Sequence, residues 1–420
     1  MEAPIRAKVR VPGSKSFTNR ALIMAALAEG TTFLEGGSIA EDSAILVRAL
    51  RVLGVFIEEK EGILQVQGSG GSFPFFEGVL DVGDAGTAMR FLTALCSTIP
   101  GTTIIKGSPR MHERPIQGLV DALRFLGARI TYLGKEGSAP IKIEGGYLRG
   151  GRVLVDASLS SQFVSSLLMI APILPFDTEI IAAEGTPSLS YIGITASIMQ
   201  SFGASLKIIS PWHYLVKGYS GYKSCFYSIE PDASSASYFF GLAALTQSCI
   251  RVDGLSEKSV QGDVRFVDIL EKMGSKVIKT EKYIEVEGTS ALKGVTVDMV
   301  DMPDTAQTLS VIAAFAKGTT YIQGLKTLEL KETRRLTALY AELSRVGIHC
   351  CISEETIKIE GGLPRGAPIR TYNDHRMAMS FALSGAIIKD VRVEDPFVVR
   401  KSFPDFWDQL LSLGVGVEFQ

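Results

Sequence analysis

The run Lys8-Val9-Arg10-Val11-Pro12-Gly13-Ser14-Lys15-Ser16-Phe17-Thr18-Asn19-Arg20 reads as a short alternating strand, a Pro-Gly break, and hydroxyls at the mouth of a helix rich in Ala, Leu and Met. A helix mouth offers free backbone N–H groups and the positive end of the helix dipole, and Lys15 and Arg20 add two full charges to it. Such a place can hold an anion, although hydroxyl-rich helix starts commonly do no more than cap. The design carries weight because it returns five more times.

Outward from this stretch the chain repeats. A bulky apolar residue followed by glycine closes a helix at Leu53-Gly54, Leu126-Gly127, Phe202-Gly203, Met273-Gly274, Val346-Gly347 and Leu413-Gly414, a spacing of about 70 residues. Glycine suits a left-handed helix stop. Most stops lead into two short alternating strands, as at residues 55–57 with 63–66 and 276–278 with 283–286; the last leads into one, 416–419. Upstream in each unit a strand enters a polar loop and then a helix, the loops lying at 12–16, 83–87, 156–161, 231–235, 303–306 and 373–376. A further strand and a second helix follow, opening near Glu41, Arg114, Tyr191, Gln261, Lys331 and Phe403. Each unit is therefore βαβαββ. Six units predict an α/β protein of two similar three-unit domains, one spanning 14–229 and the other 1–13 with 230–420. The N-terminal strand is expected to pair in the second half, because the last unit lacks its closing strand.

Composition agrees with this size. A chain of 420 residues is too long for one ordinary core, its 46% apolar content suits a well-buried protein, and no apolar run approaches the roughly 18 residues of a membrane span. The net charge of −2 gives no global reason to bind nucleic acid or an anionic membrane. Five cysteines show neither metal-ligand nor disulfide spacing, which fits reduced thiols in the cytosol. The first loop begins by residue 12, leaving no room for a signal peptide ahead of it.

The loops are richer in cations than capping requires. Lys15, Arg20, Arg90, Arg114, Arg335, Arg376 and Lys401 all fall at or near expected helix starts. Cations are unfavourable at the positive end of a dipole, so this placement points to a ligand with several negative groups, phosphate or carboxylate. Two carboxylates stand among them. Asp304 reads either as a helix N-cap or as a general base, and Glu332 either as a dipole partner or as a general acid. His375 in the last loop reads as structural.

Taken together and in order, Pro12-Gly13-Ser14-Lys15-Ser16 with Asn19-Arg20, Ala85-Gly86-Thr87-Ala88-Met89-Arg90, Arg110-Met111 with Glu113-Arg114-Pro115, Ser160-Ser161-Gln162, Asp232-Ala233-Ser234-Ser235-Ala236, Lys331-Glu332-Thr333 and Tyr372-Asn373-Asp374-His375-Arg376 resemble the 5-enolpyruvylshikimate-3-phosphate (EPSP) synthase family. The likeness runs from about residue 4 to 410. It implies transfer of the enolpyruvyl group of phosphoenolpyruvate to the 5-hydroxyl of shikimate 3-phosphate, on the route to chorismate and the aromatic amino acids, with no metal or organic cofactor. It also implies an inverted α/β fold of two three-unit domains that close on an active site in the cleft between them. Carried over by position, Lys15, Gly86, Arg90, Arg114, Gln162, Arg335, Arg376 and Lys401 would hold phosphoenolpyruvate. Lys15, Ser16, Arg20, Ser160, Ser161, Gln162, Ser188, Tyr191, Asp304, Thr327 and Lys331 would hold shikimate 3-phosphate. Asp304 would take the hydroxyl proton, Glu332 would protonate the methylene carbon, and Lys15 could assist either transfer. The family resemblance also implies a cytoplasmic monomer and a glyphosate target.

Departures from the family pattern are Asp84 for the usual Asn, Phe91 for Pro, Leu189-Ser190 for Lys-Pro, and Thr327 for Asn. The sister enzyme acting on UDP-N-acetylglucosamine normally carries Lys-Asn at Lys15-Ser16 and a Cys within 107–114, and this chain has neither. An inactive anion-binding relative could dispense with Asp304 or Glu332; both are present. RNA 3′-phosphate cyclase, which shares the domain architecture, would want a nucleotidylated His and a more basic surface.

Overall fold

All six helix stops close on a left-handed glycine: in the computed structural model, which describes residues 4–38 and 40–419, φ at Gly54, Gly127, Gly203, Gly274, Gly347 and Gly414 lies between 77° and 114°. Only glycine takes this conformation without steric cost, and it lets each helix turn at once toward the next strand.

Among the described residues these units build five four-stranded sheets and one two-stranded sheet. In each larger sheet, the strand ahead of the polar loop runs parallel to its neighbour, and a closing hairpin adds two antiparallel strands. Phe76–Asp81, Gly101–Lys106, Ile141–Gly145 and Arg129–Tyr132 follow this pattern. A parallel pair needs a crossover, which in the sheets of the second, third and fifth units the helix after the loop supplies.

The first and fourth units exchange their leading strands. Arg6–Val9, which runs into the loop at 12–16, pairs with Cys249–Asp253 rather than with Thr31–Glu35 of its own unit. Phe226–Ser228, which runs into the loop at 231–235, takes the vacated place beside Thr31–Glu35. The chain accordingly divides into a first lobe, Gly13–Glu230, and a second lobe, Met1–Pro12 with Pro231–Gln420. The N-terminal strand thus pairs in the second half, as expected, its partner lying in the fourth unit.

The last unit departs furthest from the repeat. Its sheet is Pro368–Ile369 beside Arg392–Val393, and residues 416–419, expected as a strand, form none.

The first lobe contains α1 (Lys15–Leu27), α2 (Glu41–Val52), α3 (Gly86–Thr98), α4 (Gln117–Phe125), α5 (Gln162–Ile170) and α6 (Leu189–Ser201). The second contains α7 (Ala233–Thr246), α8 (Phe266–Met273), α9 (Ala306–Ala314), α10 (Arg335–Arg345), α11 (His375–Ala382) and α12 (Phe406–Ser412). The odd-numbered helices of the first lobe, with α7, α9 and α11, are buried nearly all round, as core helices must be when apolar on every face. The exception is α10's neighbourhood: the second helix of the fifth unit begins at Arg335, after a 3-10 turn at Lys326–Leu330, so Glu332 lies in a turn and not on a helix. Small polar residues let the central helices approach, with Thr308 Oγ1 at 3.3 Å from both Ser237 Oγ and Ser380 Oγ. No helix among the described residues is long and apolar enough to cross a membrane.

Candidate active site

In the first lobe α1 packs against α3 and α5, whose opening turns meet. Gln162 Nε2 donates to Thr87 Oγ1 at 3.4 Å, linking α5 to α3. Arg20, buried on the second turn of α1, donates from Nε to Thr195 Oγ1 (2.7 Å), from Nη1 to the Ser16 carbonyl (2.9 Å) and from Nη2 to Ser165 Oγ (3.3 Å). These acceptors are neutral. Burial therefore lowers the guanidinium pKa to about 10, with Tyr191 pulling it partly back, and the group stays charged at neutral pH. Its plane lies over Phe91 at 5.2 Å and Tyr191 at 6.0 Å. The departure at Phe91 thus has a physical account: the ring face stabilises the buried cation.

Arg90, also buried, donates to the carbonyls of Pro115 (2.6 Å) and Gly86 (3.1 Å). Arg114 donates to the Asp84 carbonyl at 3.2 Å, and its guanidinium packs so close to Gly86 that a Cβ there would stand 2.4 Å from Nη2. The Asp84 carboxylate accepts the Ser108 hydroxyl. Lys15 Nζ meets Asp42 Oδ2 at 2.9 Å. Ser160 Oγ accepts the Gln162 N–H at 3.2 Å, with Ser161 buried beside it. Ser188, left-handed at φ 59°, precedes α6, and its carbonyl accepts the Tyr191 N–H at 3.1 Å.

The second lobe gathers its charges into one network. Asp304 receives Arg335 Nη1 on Oδ1 (3.1 Å) and Arg376 Nη2 on Oδ2 (2.8 Å), with Lys331 Nζ at 4.0 Å. Arg335 Nη2 also holds Glu332 Oε2 (2.8 Å), whose other oxygen lies 3.6 Å from Lys401 Nζ. Burial alone would raise the Asp304 carboxyl, but Arg376, Lys331 and Arg335 outweigh it and hold the group well below the usual carboxylate range. Thr327 stands apart: its Oγ1 is buried without a hydrogen-bond partner.

Several acidic side chains at helix starts complete these clusters. Asp374 accepts the Arg376 N–H at the start of α11, yet also grips Arg335 Nε at 2.7 Å. Asp42, an ordinary acidic residue of a first helical turn, neutralises Lys15. Asp263 is buried opposite Ser234, whose hydroxyl donates to its Oδ2. An acidic residue at a helix start is what the dipole favours anyway, so nothing in the sequence separates these three from simple caps.

Two lobes of repeated units, each with cations gathered at helix mouths, define an enolpyruvyl transferase by fold. The structure matches an EPSP synthase from Acinetobacter baumannii with a TM-score of 0.83 at 27% identity, covering 99% of this chain and 97% of that one. It shares the same fold with the enolpyruvyl transferase NikO from Streptomyces tendae, with a TM-score of 0.80 at 16% identity over 99% and 97% of the two chains. The chain belongs to the family of EPSP synthase (3-phosphoshikimate 1-carboxyvinyltransferase), whose model matches residues 1–410. A 3-phosphoshikimate 1-carboxyvinyltransferase from Pasteurella multocida is 43% identical over 422 residues, 97% of this chain and 96% of that one. The expected family, fold and enzyme class are thereby shown, and the UDP-N-acetylglucosamine alternative is set aside.

Proposed function

We propose that the chain, as a 3-phosphoshikimate 1-carboxyvinyltransferase, uses Asp304 and Glu332 as its acid–base pair. The 5-hydroxyl oxygen of shikimate 3-phosphate attacks C2 of phosphoenolpyruvate, Asp304 takes the hydroxyl proton, and Glu332 gives a proton to the C3 methylene. In the tetrahedral adduct the C2–O bond to phosphate then breaks and a methyl proton returns to the enzyme, restoring the double bond. Lys15 assists either transfer. The charge that develops on C2 and on the leaving phosphate is met by fixed cations rather than by water.

One observation carries this reading: a single guanidinium, Arg335, holds both carboxylates, at 3.1 Å and 2.8 Å. As it stands Asp304 is a poor base, because its cations favour the ionised form. Anionic groups of phosphoenolpyruvate arriving at Arg335, Arg376 and Lys401 compete for the same charge and restore proton affinity to Asp304. The base is thus switched on by the substrate it serves. In the first lobe Arg90, Arg114, Gln162 and the Gly86 turn hold the remaining phosphoenolpyruvate groups, while Ser16, Arg20, Ser160, Ser161, Ser188 and Tyr191, with Thr327 and Lys331 of the second lobe, receive shikimate 3-phosphate. Work as a cytoplasmic monomer belongs to the same proposal.

The test is phosphate release from phosphoenolpyruvate with and without shikimate 3-phosphate, with UDP-N-acetylglucosamine as competing acceptor and mass spectrometry of the product. Release that depends on shikimate 3-phosphate and yields the enolpyruvyl adduct supports the reading. Release with the nucleotide sugar, or joint binding without turnover, defeats it.

A further inference from the structure

On α7, Ser234 and Tyr238 lie four residues apart and so share one face. Ser234 donates its hydroxyl to Asp263 Oδ2, while the Tyr238 hydroxyl accepts Arg376 Nη1 at 3.4 Å. Arg376 in turn holds Asp304 Oδ2 at 2.8 Å. The helix face therefore spans from the proposed base to a second carboxyl group that the reaction as described leaves idle. Asp263 is 5% exposed, and its Oδ1 is buried with no hydrogen-bond partner. A carboxylate oxygen deprived of both solvent and donors favours the neutral acid.

We propose that Asp263 is a positioning residue for proton transfer: its change of charge sets how strongly Asp304 holds the proton taken from the substrate hydroxyl. This rests on the assignment of Asp304 as the base. The groups acting on Asp263 come from α7, α11 and the turn at Pro303–Thr305. Burial pushes its carboxyl up to about 7, the Asp304 charge raises it, the Ser234 hydroxyl and Arg376 lower it, and Asp232 at the start of α7 raises it. Near neutral pH Asp263 can gain or lose a proton, while the substrate proton goes to Asp304.

Two consequences follow from Coulomb's law alone. When Asp263 is neutral, Asp304 feels chiefly its cations and is a weak base. When Asp263 is ionised, repulsion strengthens Asp304 as a base, so kcat rises; the same negative charge weakens the anion site at Arg376, so KM for phosphoenolpyruvate rises too. A merely structural side chain moves neither parameter with pH.

The experiment is steady-state kinetics of the full chain from pH 5.5 to 9, at saturating shikimate 3-phosphate, for the wild type, Asp263→Asn and Ser234→Ala. The wild type is expected to show a rise in kcat of about threefold or more through neutrality, with a parallel rise in KM. Asp263→Asn, neutral at every pH, loses both inflections. Ser234→Ala withdraws a donor from the ionised form and moves the inflections to higher pH, by about one unit; it also decides the matter should Asp263→Asn fail to fold. Wild-type inflections retained in both variants, or an even loss of activity at all pH, overturn the proposal. A wild type that forms no adduct overturns the parent reading instead, before any variant is made.

Discussion

Arg20 and Arg335 are both buried guanidiniums within the first two turns of central or site-bearing helices, and they are balanced in opposite ways. Arg20 rests on hydroxyls, a carbonyl and two ring faces, so burial pulls its pKa down to about 10. For Arg335 burial acts in the same direction, but Asp374, Glu332 and Asp304 overwhelm it and push the group above its ordinary value. The first lobe thus keeps a cation balanced by neutral groups, whereas the second keeps cations already shared among carboxylates. An anion gains freely in one place and must compete in the other. Competition is useful where the carboxylates are to move protons, since it ties their basicity to occupancy.

The comparison is most exposed to attack at the shared carboxylates. Asp304→Asn and Glu332→Gln should each lower kcat by about 10²–10⁴-fold in the phosphate-release assay, with much smaller changes in substrate binding. Next comes the buried pair behind them. Asp374→Asn leaves Arg335 short of its best partner and should cost about 3–5 kcal/mol in denaturant unfolding. Asp42→Asn, facing the more accessible Lys15, should cost about 1 kcal/mol or less. Equal losses would erase the distinction between the lobes.

Stability against pH sharpens it further. The Asp263 carboxyl, at about 7 in the folded chain, lies above its unfolded value, so the folded state binds the extra proton. Its contribution is full below about pH 4 and is lost as pH rises through 7; Asp304, depressed, contributes fully above about pH 4 and loses that only in acid. Asp263→Asn should therefore gain on the wild type between pH 5 and 8 by on the order of 1–3 kcal/mol, read as Tm. A wild type that loses nothing relative to the variant over this range contradicts the burial argument. A modest effect also falls in the first lobe. Gly86→Ala would push a Cβ against the Arg114 guanidinium and should raise KM for phosphoenolpyruvate about tenfold, about 1.4 kcal/mol, while kcat changes less.

Much of this was open to reading before any coordinates. Gly54, Gly127, Gly203, Gly274, Gly347 and Gly414 advertise the repeat because a left-handed stop admits little else, and the cations at helix mouths advertise an anion because they oppose the dipole. What stayed hidden is nonlocal. Arg6–Val9 and Phe226–Ser228 carry the same alternating pattern whichever sheet receives them, so their exchange leaves no trace in either strand. Asp42, Asp263 and Asp374 look like caps because they sit where caps belong, and only their distant partners distinguish them. The start of α10 falls later than its sequence suggests for a related reason: Lys331-Glu332-Thr333 has the composition of a first turn, but Glu332 and Lys331 are committed to Arg335 and Asp304 instead.

The exchanged strands also order events during synthesis. Every strand of the first lobe lies within one continuous stretch, so that lobe can close as soon as Phe226–Ser228 emerges. Arg6–Val9 has no such opportunity. Its pairing closes a loop in which Ile5 N–H reaches Ser248 Oγ across 243 residues, at a chain-entropy cost of about 5 kcal/mol if nothing between were folded. Prior closure of the first lobe shortens the effective loop, making the early lobe a scaffold for the late one. Until the strand arrives, Cys249–Asp253 presents an open sheet edge, the kind of surface that recruits a second nascent chain. Trimming the first ten residues would therefore spare the early lobe and leave the late one prone to aggregate.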